Sequence, residues 1–342
     1  MDIFATATLN GIVRNLKRSQ SFLLGTFFPS VSVSTGEEIK FDMENGLRRI
    51  SPFVSPLREG KVVESLGYTT KTFTPAYIKD KRIFDANRPL KRSAGERIGG
   101  GDLTPAQRIQ ALLVQELGDQ QDMLTRRQEL MAAEIMRTGK VVITGEGFDD
   151  VEVDFGRHAD LTDALTGTDE WGDTGVKPLN TLNDKNLVIL KQSGASATDV
   201  IMDVEAWKLF SADTDVKEQL DLLRANPSAN LALAGSVKDV GAQYMGTIGN
   251  FNIWLYADWY IDANGTEQPI LPSYTVLMGS SAIEGVRHYG AIRDDKAGYQ
   301  AMEMFAKSWT VEDPSSRLLL MQSAPLVVPY RPNASACITV KA

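Results

Sequence analysis

Cysteine and histidine are nearly missing from this chain: Cys337, His158 and His288 are the whole supply in 342 residues. A lone cysteine excludes an intrachain disulfide and fits a compartment where disulfides do not form. Zinc spacing of the C-x-x-C or H-E-x-x-H kind is absent as well. No run approaches the roughly 18 apolar residues that a membrane span needs. Met1-Asp2-Ile3 opens without a basic stretch, and no early apolar run has signal-peptide form. A soluble, cytosolic chain is therefore expected. Basic excess is lacking too. The net charge is −8, which argues against a surface built to neutralise phosphates. An acidic wall beside nucleic acid repels it rather than gripping it.

What is present suffices for two domains: 43% of the residues are hydrophobic and an ordinary 23% are charged. Leu9, Ile12, Val13 and Leu16 recur at helical spacing near the start. The apolar run from Phe22 through Phe27 and Phe28 to Pro29 must be covered, by this chain's own body or by a neighbour. From Ile50 to Arg82 the pattern is extended, and Pro52, Pro56 and Pro75 rule out a long helix. Lys61 to Glu64 and Thr70 to Thr74 flank Ser65-Leu66-Gly67-Tyr68, with Gly67 suited to a turn. Arms rich in Lys, Thr and Glu predict a projecting hairpin, marginal in water alone and so resting on another chain; an ordinary edge hairpin is the plainer alternative. Residues 85–103 read as a linker.

Thr104-Pro105-Ala106-Gln107 is a helix start, with Thr as cap, Pro at the first position and Gln three residues on. Ile109, Leu112, Leu113, Leu117, Leu124, Met131, Ile135 and Met136 then mark one apolar stripe, and Gly139 supplies the stop. The helix would be on the order of 50 Å long. Arg108, Asp119, Asp122, Arg126, Arg127 and Glu129 define the polar side. The stripe is interrupted at Gln120 and Gln121, which disfavours a coiled coil. Lys140 to Arg157 reads as a long β-hairpin, with Val151, Val153 and Phe155 on one face. The remainder reads as α/β. Strands are predicted over 186–190, 199–202, 244–248, 251–256 and 274–278, helices over 204–210 and 216–225, and a hairpin around Asn264-Gly265. Apolar extended runs near 318–321, 325–328 and 336–340 close the chain. The last of these is expected to return to the long-hairpin sheet.

No motif carries chemistry. Gly99-Gly100-Gly101 is not followed by Lys-Ser or Lys-Thr, so the phosphate-loop reading fails. There is no G-x-S-x-G elbow. Asp149, Asp150, Glu152 and Asp154 lack the spacing of an EF-hand loop. Trp254, Trp259, Tyr256 and Tyr260 have no basic surround, so packing accounts for them better than base stacking. Cys337 has no basic residue closer than Lys341, and neither histidine sits in a matching motif. Neither an enzyme, a metal nor a cofactor is expected.

Several short runs point elsewhere: Val54-Ser55-Pro56, Phe73-Thr74-Pro75-Ala76-Tyr77-Ile78-Lys79, Thr144-Gly145-Glu146-Gly147-Phe148 with Val151 to Arg157, Glu170-Trp171, and Gln322-Ser323-Ala324-Pro325. In order and spacing they resemble the major capsid protein E family of tailed phages, the bacteriophage lambda head-protein type. That resemblance implies an α+β, Hong Kong 97-type capsid fold. Residues 1–46 would be an N-terminal arm and 47–92 an extended E-loop. Residues 93–185 would be a peripheral domain with spine helix 104–138. An axial domain would span 186–319, and 320–342 would return to the peripheral domain. Lys61, Glu64, Leu66, Gly67, Tyr68 and Lys71 of the E-loop, and Phe22, Phe27 and Phe28 of the arm, would contact neighbouring subunits.

The implied function is a major head protein that self-assembles as hexamers and pentamers into an icosahedral shell around double-stranded DNA, held without specific binding. The shell would form in the host bacterial cytoplasm, mature from a procapsid by expansion, and become the virion capsid. No long charged helical extension precedes residue 20, so a separate scaffold protein is expected, with a portal and a trimeric decoration protein. The lambda-type resemblance favours noncovalent cementing, so no crosslink is expected at Lys61 or Lys71. An encapsulin-like compartment shares the fold and differs in contents; a soluble enzyme of unrecognised type would need a concave site with perturbed titratable groups.

Overall fold

A computed structural model of the chain describes residues 4–16, 21–34, 36, 38–44, 51, 53–56, 59, 68–85, 88, 104–145, 147–225, 241–262, 264–313 and 316–341. Helix α1 (Thr6–Asn15) buries Leu9 and Val13. Asn10 ties it to the strand that holds Ala306, accepting from the Ala306 N–H at 2.9 Å and donating to its carbonyl at 3.2 Å. The apolar run becomes helix α2 (Phe22–Phe27), followed by strand β1 (Ser30–Val33). Its rings reach a core shared with residues 131–136, 153–155 and 326–328. Phe22, Phe27 and Phe28 are all buried by this chain itself. Of the two covers the sequence allows for this run, the chain's own body is the one seen.

Strand β2 (Ile39–Glu44) pairs antiparallel with β3 (Tyr68–Phe73) in a two-stranded ribbon. The described partner of the 70–74 arm is thus 39–44; the arm expected at 61–64 lies outside the described residues. Strand β4 (Ile78–Asp85) joins a three-stranded sheet.

The long helix, α3 (Pro105–Thr138), starts at the expected capping box and ends at left-handed Gly139 (φ 74). Strands β5 (Lys140–Gly145) and β6 (Phe148–Asp154) then form the hairpin, with Lys140 opposite Asp154 and Val142 opposite Glu152. Alternation holds: Val153 and Phe155 are buried, whereas Glu152 is exposed. Strand β7 (Thr162–Ala164) follows.

Residues 186–190 are not a strand. They lie in helix α4 (Pro178–Ser193), which Pro178 opens and left-handed Gly194 (φ 72) closes. Leu182, Lys185 and Ile189 form its buried face, three and four residues apart, while Leu187 is 62% exposed. An apolar run hid that period. Beyond it come β8 (Asp199–Met202), α5 (Val204–Ala212), α6 (Thr214–Ala225), β9 (Ala242–Ile248) and β10 (Phe251–Tyr256). A small hairpin, β11 (Trp259–Ile261) with β12 (Glu267–Pro269), turns at Asn264-Gly265 as expected. The chain ends with β13 (Thr275–Gly279), β14 (Gly285–Tyr289), β15 (Phe305–Val311), β16 (Ser316–Ser323), β17 (Pro325–Pro329) and β18 (Ala336–Thr339).

The largest sheet runs β7-β18-β13-β8-β10-β9; β15-β16-β4 and β1-β14-β17 are the three-stranded ones. The last strand, β18, pairs with β13 and β7, not with the long hairpin. Its Ala336, Cys337 and Ile338 are fully apolar neighbours for a central position, which a two-stranded exposed ribbon would not bury. Among the described residues no helix is long and apolar enough to cross a membrane.

Candidate functional site

The residue types capable of chemistry are dispersed. Cys337 lies inside β18 at 2% exposure, and burial pushes its thiol up to about 11. His288, on β14, is buried, which lowers its pKa; its Nε2 is 3.1 Å from the Tyr330 hydroxyl. His158 is exposed and caps a short turn, its Nδ1 accepting from the Asp160 N–H at 3.3 Å. Among the described residues no group of three or more His, Cys, Asp or Glu is placed to hold a metal. Glu152 and Asp154 pair with Lys140 at 2.8 and 3.3 Å, a cross-strand ion pair in solvent. Trp254 packs against Phe22 and Tyr244 and donates its Nε1–H to Asp199 at 3.1 Å, so it is a half-buried residue packed against the core.

The informative feature is a polar seam on α3 inside the protein. Glu116, Gln120, Gln121, Gln128 and Glu129 are all buried. Glu116 binds Arg82 at 3.2 Å and also Arg88. Gln120 donates to the Asp80 carbonyl at 3.0 Å, and Gln128 accepts from the Tyr289 hydroxyl at 3.3 Å. Gln120 and Gln121 therefore continue the buried stripe instead of interrupting it. Glu129, expected on the free polar side, is 1% exposed. Its two oxygens accept the N–H groups of Leu23 at 2.8 Å and Leu24 at 2.9 Å, the open first turn of α2. The Tyr256 hydroxyl donates to it at 3.0 Å. Polar residues at 116, 120 and 128 stand four or eight apart, in step with Leu112, Leu113 and Leu124. That spacing was the available signal for a buried seam. Hydrophobicity alone cannot register it.

Seam and hairpin tie the N-terminal and ribbon segments to the body. Lys71, expected to face another subunit, is half-buried and donates to the Asp154 carbonyl at the base of the long hairpin. Ile39 and Phe41 of β2 are buried, with Phe41 against Phe155 at 5.8 Å between ring centres. Tyr68 opens β3. Lys61, Glu64, Leu66 and Gly67 lie outside the described residues.

Open surface among the described residues includes a groove and scattered exposed apolar side chains. A groove of about 750 Å³ runs beside α3, lined by Gln120, Leu124, Arg127, Trp259 and Ile261 among others. Trp259 and Ile261 on its rim are 50% and 60% exposed. Val31 and Val33 of β1, and Val142 and Val151 of the long hairpin, are also exposed apolar side chains. Such surfaces suit contact with another protein.

Comparison with known proteins agrees with the arrangement. A family model described as phage major capsid protein E matches residues 5–340. The major capsid protein of Escherichia phage lambda is 30% identical over 339 residues, 97% of this chain and 98% of that protein. The major capsid protein of Enterobacteria phage P21 is 30% identical over 347 residues, covering 100% of both. Among solved structures, a prophage capsid protein of E. coli CFT073 superposes with a TM-score of 0.75 at 23% identity, over 98% of each chain. The capsid of Ralstonia phage GP4 does so with a TM-score of 0.56 at 13% identity, over 95% of this chain and 91% of that one.

Proposed function

Because this chain belongs to the phage major capsid protein E family, and as a tailed-phage major capsid protein self-assembles into the virion shell, we propose that its described surfaces are those of a Hong Kong 97-type subunit arranged in hexamers and pentamers. In this reading α3 is the spine of a peripheral domain spanning 93–185. Residues 186–319 form the axial domain, and 320–342 return to the peripheral domain. The N-terminal arm spans 1–46. The E-loop spans 47–92 and is anchored by the ribbon that its strand β3 forms with β2 at the end of the arm.

That ribbon is the observation that carries the reading. Two strands with no third among the described residues leave Glu44 and end at Tyr68, and buried Ile39 and Phe41 fasten their base. The segment between these strand ends carries Lys61, Glu64, Leu66 and Gly67, which with Tyr68 are the residues proposed to meet a neighbour. Lys71 belongs to the anchor. The shell encloses double-stranded DNA without gripping it, consistent with the net charge of −8. A separate scaffold protein, a portal and a trimeric decoration protein complete assembly, and no covalent crosslink forms at Lys61 or Lys71. Many modest contacts suffice, because closure makes them cooperative.

Negative-stain microscopy of the purified chain, with and without residues 61–67, tests this. Closed shells from the full chain, and folded soluble subunits that fail to close from the shortened one, are expected. A shortened chain that no longer folds, or one that still closes the shells of the full chain, would sink the reading. Assembled particles should run as single monomer bands on a denaturing gel.

A further inference from the structure

Glu129 is a buried carboxyl that holds two distant parts of the chain together without a cationic partner among the described residues, and nothing in the shell-forming role calls for it. It reaches from α3 to the first turn of α2, more than a hundred residues earlier in sequence. Phe22, Leu23, Leu24 and Phe27 of α2 lie in one core with Met131, Ala132, Ile135 and Met136 of α3. Among the described residues no lysine or arginine pairs with Glu129. From α2, whose sequence is FLLGTF, no titratable side chain faces it. From β10 and the turn after it come Tyr256, which donates a hydrogen bond, and Asp258, whose like charge disfavours an ionised Glu129.

An ionised carboxylate in this place has lost its water and has no cation in exchange, which favours the neutral form. Three hydrogen bonds to its oxygens pull the other way. A protonated Glu129 can donate to Tyr256, whose hydroxyl turns from donor to acceptor, and can still accept from α2. In the undocked state the carboxyl is in water and ionises as an ordinary glutamate. We infer that docking of α2 onto α3 is a proton-coupled step: the N-terminal segment is held most firmly while Glu129 carries a proton and is loosened when it ionises.

Burial, the largest influence, outweighs the hydrogen bonds from Leu24, Leu23 and Tyr256 and raises the Glu129 pKa from 4.5 to about 7, with Asp258 adding to the rise. The direction follows by linkage. A carboxyl whose pKa is higher docked than free takes up a proton on docking, so its favourable contribution is complete below the free value and lost as pH rises through the docked value. The constant for opening α2 should then rise about tenfold per pH unit between about 4.5 and about 7, and level off above.

Hydrogen exchange of peptides covering residues 21–28, corrected for intrinsic exchange and followed from pH 4 to 9 in one assembly state, reads this directly. The expected result is that rise and plateau in the full chain, and a flat profile in Glu129→Gln. Protection that is independent of pH, that increases with pH, or that keeps its slope in Glu129→Gln overturns the inference. Tyr256→Phe provides the second reading should Glu129→Gln not fold. It removes a donor that favours the ionised form, so the plateau must begin at higher pH; a plateau that stays in place or moves lower also overturns it.

Discussion

Gly139 and Arg157 press together where the long helix turns into the hairpin: a Cβ built on Gly139 would lie 2.6 Å from the Cβ of Arg157. Arg157 is largely buried there and donates to the carbonyls of Met136 and Arg137, the open last turn of α3. The Gly139 carbonyl in turn accepts from the Phe155 N–H at 3.1 Å. Helix end, hairpin start and hairpin exit are thereby fixed by one close approach. Only a residue with positive φ and no side chain fits it.

Replacement of Gly139 should therefore cost more than a left-handed conformation alone. Gly139→Ala meets strain of roughly 1–2 kcal/mol and displaces Arg157 as well, so a loss of at least about 2 kcal/mol is expected. Asn tolerates positive φ, but its Cβ meets the same obstacle, so Gly139→Asn should be nearly as damaging. Gly147 (φ 84) has nothing within 4 Å of a built Cβ, and Gly147→Asn should be tolerated. Denaturant midpoints of the three variants check this. A harmless Gly139→Asn would remove the contact from the argument.

The two long helices predict a contrast between two leucines. Leu117 of α3 is fully buried, whereas Leu187 of α4 is 62% exposed. Leu117→Ala should destabilise the unassembled subunit by about 2–5 kcal/mol, and Leu187→Ala should stay within about 0.5 kcal/mol. Equal losses at both sites would mean that 186–190 is packed as the strand its composition suggests.

Legibility followed the strength of local signals. The capping box at Thr104, the stop at Gly139, the long hairpin and the Asn264-Gly265 turn were all readable, because each rests on backbone geometry that few residue types satisfy. Residues 186–190 were misread because a short apolar run has no period of its own, and the deciding residues, Pro178 and Gly194, stand outside it. The placement of β18 depends on partners far away in sequence, which no local pattern contains. The polar seam was hidden for a related reason. Glu129 has an ordinary helix-surface identity, and its burial depends on α2 and Tyr256, whose donors come from far away in sequence. The family resemblance carried the shell-forming role, since the contact surfaces hold no motif.

Asp294 should make part of the stability sensitive to acid. It accepts from the Lys307 ammonium, from Gln322 Nε2 at 3.1 Å and from the Lys296 N–H at 3.0 Å. Burial alone would raise its pKa, but these donors outweigh burial and hold it below the ordinary carboxylate value of 3.8. A carboxyl depressed on folding contributes stability that is present above its ordinary pKa and lost as pH falls through the folded one. Asp294→Asn should cost about 1.5–3 kcal/mol at pH 7 and less at pH 3. A loss that is the same at both pH values would show that the charge is irrelevant.

Cys337 should be chemically silent until the body opens. Its thiol is 2% exposed, it forms part of a central strand, and burial raises its pKa to about 11 even though Arg157, Arg137 and Lys185 pull it down. At pH 8 a thiol of that pKa is thiolate in about one part in a thousand, and the reagent has no path to it. Labelling with a maleimide at pH 8 should therefore be negligible for the native chain and complete in denaturant. Its native rate should follow global unfolding, so raising the pH from 8 to 9 should accelerate it by no more than the roughly threefold of an ordinary thiol exposed on opening, and not by the roughly tenfold of a thiol of pKa about 11 that reacts in place. Cys337→Ala keeps an apolar side chain at this position and should leave shell formation unchanged. Rapid native labelling with a full pH dependence would mean that β18 is accessible, and would undo its placement between β7 and β13.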